Sequence, residues 1–176
     1  MVNGKGGRIA GFYAGLMGFE RFGGAIGHLV NITENFNQPP KKDLLWLVPG
    51  FQVLPDGGLD NSGCLFTDKT EAGKMQITTY TLYLKPDTKY RAAVRCKAEN
   101  LKDVRGSRLF CIEFTDKGKY VSGAYYTKPL KENSWETIVL EFTAPAQFNA
   151  ACAGFYLPKS ATGKVWWDDF SLKEVK

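Results

Sequence analysis

The chain has 176 residues, enough for one ordinary domain and cramped for two. Hydrophobic residues make up 44% and charged residues 23%, which excludes wholesale disorder, and a chain of this length buries a core without help from a disulfide or a metal. The net charge of +5 is too diffuse to argue for nucleic acid, and a single histidine, His28, excludes histidine-triad hydrolases and multi-histidine metal sites.

Composition shifts once, near residue 28. Residues 1–27 hold 9 of the 19 glycines. Within them Ile9, Phe12, Tyr13, Leu16, Met17 and Glu20 follow helical spacing, five apolar residues and one acid on one stripe. Each glycine weakens a helix by about 1 kcal/mol. The segment therefore reads as an arm, either a short helix or an extended tail, ordered against its own domain or against another chain. Its apolar stretch is broken by Gly11, Gly15 and Gly18 and followed by Glu20 and Arg21, so no signal peptide is expected. No apolar run approaches the roughly 20 residues of a membrane helix, so no membrane partner is expected.

From residue 28 onward short strands alternate with turn signals. Strands are expected at 28–33, 44–48, 51–54, 63–66 and 75–84, with turns at Pro55-Asp56-Gly57-Gly58 and Lys85-Pro86-Asp87-Thr88. Residues 90–98 set Tyr90, Ala92, Val94 and Cys96 against Arg91, Ala93, Arg95 and Lys97. Residues 108–114 set Phe110, Ile112 and Phe114 against Leu109, Cys111 and Glu113. After a hairpin turn at Asp116-Lys117-Gly118-Lys119, strands follow at 120–127, 135–143, 150–157 and 164–173. Such a series with one-sided alternation reads as an all-β antiparallel sandwich. Trp46, Trp135 and Trp167 are assigned to its core. Trp166, alternating with Trp167, should face out, where it needs a covering group.

Cys64, Cys96, Cys111 and Cys152 show no Cys-x-x-Cys spacing, which excludes a zinc ribbon or thioredoxin-like centre. They read as buried thiols; a disulfide between neighbouring strands is the alternative in an oxidising compartment. Asp168 and Asp169 are no acid–base pair, because adjacent strand residues point to opposite faces. No nucleophile–base pair or catalytic metal set stands out, so no enzyme is expected.

The closing section carries a resemblance. Ser134-Trp135-Glu136-Thr137, Phe142-Thr143-Ala144-Pro145, Gly154-Phe155-Tyr156-Leu157 and the run from Gly163 to Leu172 around Trp166-Trp167-Asp168-Asp169 resemble carbohydrate-binding modules of the family 4/9 type. Leu84-Lys85-Pro86-Asp87-Thr88-Lys89-Tyr90, the stretch from Asn31 to Phe36 and that from Gly57 to Gly63 resemble earlier steps of the same family. The resemblance covers residues 28–176 and implies an antiparallel two-sheet jelly-roll β-sandwich with a galactose-binding-like fold, preceded by the glycine-rich arm. It also implies a structural Ca²⁺, with Asp168, Asn37 and Asp60 as ligands and Asn61 or Ser62 as additions. Here Asn37 stands where the family carries Glu, which removes a charge from that site.

If strands 90–98, 108–114, 120–126 and 150–157 share the sheet that carries the family's sugar cleft, their outward residues form one surface. That surface comprises Arg91, Arg95, Glu113, Tyr156, Tyr125 or Tyr126, and Trp46 at the rim. Rings that stack on sugar faces and planar polar groups that read hydroxyls are the kit such a cleft uses. The expected function is a non-catalytic glycan-binding module tethering a larger assembly. The alternative is a structural or assembly protein, such as a phage decoration or fibre subunit, joined to copies of itself or other structural proteins through residues 1–27 and acting outside the cell on a virion.

Overall fold

A computed structural model describes residues 31–38, 44–102 and 109–176. The arm at 1–27, with its expected stripe and partners, lies outside the described residues. Among the described residues eleven strands form two antiparallel sheets. The strands are β1 (Asn31–Glu34), β2 (Leu45–Trp46), β3 (Phe51–Leu54), β4 (Cys64–Lys69), β5 (Gln76–Leu82), β6 (Lys89–Lys102), β7 (Phe110–Asp116), β8 (Lys119–Tyr125), β9 (Glu136–Thr143), β10 (Ala150–Leu157) and β11 (Thr162–Glu174). One sheet, called A, has the order β3-β4-β11-β6-β9, and β1 pairs with the C-terminal half of β11. The other, sheet B, has the order β2-β5-β10-β7-β8. Neighbours far apart in sequence sit side by side, as the jelly-roll expectation requires. Among the described residues no helix is long and apolar enough to cross a membrane.

The alternation in the sequence maps directly onto the two faces of each strand. Tyr90, Ala92, Val94 and Cys96 of β6 point into the core, as do Phe110, Ile112 and Phe114 of β7. Between the sheets lies a cluster of rings. Phe155 meets Phe36, Phe110, Trp167 and Phe170 at centroid distances of 6.2, 5.6, 6.0 and 5.7 Å. Edge-on and tilted ring pairs of this kind add to the burial term. The Trp167 indole is fully buried and donates to Leu109 O at 3.1 Å, so its one polar atom is satisfied.

The other tryptophans depart from the core assignment. Trp46 is 41% exposed at the end of sheet B, and Trp135 is half-buried. Trp166 does face out from sheet A, and its cover is local: Phe66 lies 4.9 Å from it and Lys97 Nζ sits 4.4 Å from the ring centroid. All four cysteines are buried free thiols. At the β10–β11 turn the buried Lys69 ammonium donates to the carbonyls of Pro158, Lys159 and Ala161, tying β4 to that turn.

Candidate functional site

Strand register places one row of side chains across all five strands of sheet B. Trp46 pairs with Thr79, Thr79 with Gly154, Gly154 with Cys111 and Cys111 with Tyr125. Directly paired residues point to the same face, so these five share the face turned away from the core. Four inter-strand spacings separate the rings at its two ends, about 19 Å. The floor between them is small side chains. A second row runs Thr81, Cys152, Glu113 and Gly123. Tyr156 stands beside Ile77 on the same face.

A polar cluster closes the β8 end. The Tyr125 hydroxyl donates to Glu113 Oε1 at 2.9 Å and lies 3.1 Å from the Tyr120 hydroxyl. Burial, the Tyr120 contact and the nearby Glu113 charge all push the Tyr125 phenol well above its ordinary value, so it stays a donor at neutral pH. Tyr125 reaches Glu113 by crossing Gly123, where an added Cβ would stand 2.8 Å from its hydroxyl. Burial, reinforced by Glu113, likewise keeps the Cys152 thiol protonated.

Of the expected sugar-contact residues, the structure brings together Trp46, Glu113, Tyr125 and Tyr156. Tyr126, the alternative to Tyr125, packs partly against the core instead. Arg91 and Arg95 are corrected. Their strand, β6, is the neighbour of β11 and β9 in sheet A, so both point out on the opposite side of the molecule. There Arg91 lies opposite Glu141, and Arg95 donates to Thr137 Oγ1 at 3.0 Å. One-sided alternation fixes which face of β6 is wet but not which sheet owns the strand. The missed members are Thr79, Cys111, Gly154 and Gly123. Nothing in their residue types marks them; only the register does.

The residues expected to hold Ca²⁺ meet at the junction of β1, the loop before β4, and β11. Asp168 is fully buried. Its Oδ2 accepts from Leu59 N at 2.9 Å and Ser62 Oγ at 2.6 Å, and its Oδ1 accepts from Asp169 N at 2.6 Å. Asn37 Oδ1 accepts from Gly63 N at 2.6 Å. Asp60 is exposed, in a left-handed conformation shared by Phe36, Asn61 and Asp169. Among the described residues no three His, Cys, Asp or Glu side chains converge. Ca²⁺ takes six to eight oxygens. Here the oxygens face N–H and O–H donors, whose hydrogens occupy the positions a cation would take, so this donor set does not fit the ion. The loop closes tightly: an added Cβ at Gly58 would lie 2.5 Å from Asp168 Oδ2, and one at Gly63 would collide with the Phe36 carbonyl.

No family model and no curated protein matches the chain. Solved structures do share its fold. The CBM22-1 xylan-binding domain from Paenibacillus barcinonensis Xyn10C superposes with a TM-score of 0.60 at 15% identity, over 82% of this chain and 94% of that one. The CBM22-1–GH10 modules of Clostridium thermocellum endo-1,4-beta-D-xylanase 10B, complexed with xylohexaose, give 0.59 at 14% identity, over 81% of this chain and 28% of that one. The enzymatically active domain of bacteriophage CBA120 tailspike protein 4 gives 0.55 at 15% identity, over 75% of this chain and 19% of that one. Likeness at these identities speaks to architecture, and the architecture is a two-sheet jelly-roll β-sandwich of the kind found in carbohydrate-binding modules.

Proposed function

We propose that the chain is a non-catalytic carbohydrate-binding module of the family 4/9 type that binds a glycan along the outer face of sheet B and tethers a larger assembly to it. The observation that carries this reading is the row Trp46–Thr79–Gly154–Cys111–Tyr125, rings at both ends of a small-residue floor. Sugar rings present C–H faces that stack on aromatic side chains, and such contacts need a floor low enough for the chain to lie between them. Tyr156 adds a third ring along the same face. Glu113 takes the Tyr125 hydrogen, which fixes that phenol's direction and leaves its oxygen as an acceptor toward a sugar hydroxyl. The fold shared with a xylan-binding domain makes soluble xylan the first ligand to try.

The test is affinity electrophoresis in soluble xylan and mixed-linkage β-glucan. Retardation of the native protein, lost in Trp46→Ala and Tyr125→Ala and kept in Arg91→Ala, supports the reading. Retardation unchanged in the first two variants sinks it.

A second reading has its own support in the tailspike likeness. In it the same sandwich is an assembly subunit of a virion, and the sheet-B face receives a protein segment rather than a glycan.

A further inference from the structure

β8 and β9 are the last strands of their sheets, and they come together on one flank of the sandwich. A cavity of about 290 Å³ opens in the seam. Tyr125, Tyr126, Thr127 and Lys128 line it from the end of β8, and Thr137 and Val139 from β9. That volume is at the low end for small-molecule sites, room for one sugar unit and not for a chain. Tyr125 belongs to both places. It ends the row across the outer face of sheet B and forms part of the cavity wall. A chain lying along the row passes the cavity mouth at Tyr125, where a side group on the chain reaches the seam.

The charges around the seam favour an acidic side group. Among the described residues its lining holds one cation and no acid. Lys128 is exposed, and no carboxylate among the described residues pairs with it. Behind the β9 wall stands a second cation, since Arg95 Nη1 donates to Thr137 Oγ1 at 3.0 Å. The Thr137 hydroxyl accepts that bond and keeps its own hydrogen for a ligand. Arg95 Nε is buried with no acceptor among the described residues, so the guanidinium is incompletely satisfied inside the protein. Two acids stand nearby without lining the cavity. Glu136 Oε2 accepts from Lys131 N at 2.9 Å, and burial and Asp168 push the Asp169 carboxyl up against the pull of Arg95.

We propose that this seam is a branch subsite, which takes one uronic acid unit carried as a side group by the glycan on sheet B and meets its carboxylate with Lys128 and the Thr137 hydroxyl. The main-chain part rests on the function proposed above; the branch part rests on the cavity and its charges. A neutral, unbranched chain binds the face and leaves the seam empty, so the seam decides which glycan is preferred. Arg95, placed away from the sheet-B face by its strand, acts here as a positioning residue that orients the Thr137 hydroxyl.

Isothermal titration calorimetry tests this with two ligands, bare xylohexaose and xylohexaose carrying one glucuronic acid branch. At low salt the native protein is expected to bind the branched ligand about fivefold more tightly, the upper end for a solvent-exposed charge pair. High salt should shrink the difference by screening. Lys128→Gln, at an exposed position, should erase it. Val139→Phe fills the cavity without changing its charge and should reverse the preference. Equal affinity of the native protein for the two ligands, or weaker binding of the branched one, overturns the proposal and leaves the glycan face standing. So does a preference that survives in Lys128→Gln or in Val139→Phe. Binding of the branched ligand alone, lost in Lys128→Gln, upholds the seam and removes the sheet-B row as the main-chain site. Binding of neither ligand overturns both.

Discussion

Replacing Asp168 by Asn tests the strongest local claim about what closes the sandwich. The side chain is nearly isosteric, so packing is kept and only the charge and one acceptor are lost. The native carboxylate takes Leu59 N and Ser62 Oγ on one oxygen, joining β11 to a loop more than one hundred residues earlier. Hydrogen bonds to a charged group contribute about 1.5–3 kcal/mol each. The amide keeps one acceptor but turns an NH₂ toward a donor, so a loss of about 2–4 kcal/mol is expected. At about 2–4 °C per kcal/mol for a domain of this size, Tm falls by roughly 5–15 °C in differential scanning calorimetry. The same scans address the cation. A resident ion at a hundred times its Kd would add about 2.7 kcal/mol, whereas a junction closed by amides should not respond. The native Tm is therefore expected to be the same in excess Ca²⁺ and in excess EDTA. An unchanged Tm in Asp168→Asn, or a clear rise with Ca²⁺, would refute the reasoning.

Three further outcomes are expected. Gly58→Ala forces a methyl to within 2.5 Å of Asp168 Oδ2 and should lower the urea midpoint by an amount comparable to Asp168→Asn; a neutral result would mean the loop relaxes freely. Lys69→Met strands three carbonyls of the β10–β11 turn and should cost about 2–4 kcal/mol, read as a lower urea midpoint, against little effect from Lys164→Met at the exposed pair with Asp68. Alkaline pH should destabilise the fold. Burial pushes the Cys64 thiol from 9.0 up to about 12, with Asp168 and Asp56 adding to the effect, and the Tyr80 phenol from 10.0 to about 12. In that window the folded state holds protons that the unfolded chain has released, so stability present below pH 9 is lost as pH rises toward 12. Urea midpoints from pH 7 to 11 check this, and Cys64→Ala should flatten the decline.

The strands were legible because inward and outward residues alternate cleanly. Phe110, Ile112 and Phe114 against Cys111 and Glu113 locate β7 within a residue or two. What alternation cannot carry is partnership. β6 and β7 have equally good patterns and lie in opposite sheets, which is why Arg91 and Arg95 fall on the far side from Glu113 and Tyr125. Trp46 reads as core by residue type and as rim by the resemblance, and the two-residue strand pairing with Thr79 decides for the rim. The junction at Asp168 was partly legible: its separation from Asp169 follows from strand geometry. Its saturation by Leu59 N and Ser62 Oγ depends on two glycines allowing loop and strand to touch, and sequence spacing does not report such an approach. The floor residues Gly154, Cys111 and Thr79 carry no chemical signature at all; they matter because bulkier neighbours would fill the space.

The face that binds is the central claim, and an NMR titration of the full-length, isotope-labelled protein with xylohexaose tests it most directly. Binding on sheet B should move the Trp46 indole signal and the amides of Gly154, Cys111, Gly123 and Tyr125, while Arg91, Arg95 and Trp166 on the opposite face stay still. Shifts confined to the Arg91–Trp166 side would place the ligand on sheet A and contradict the account.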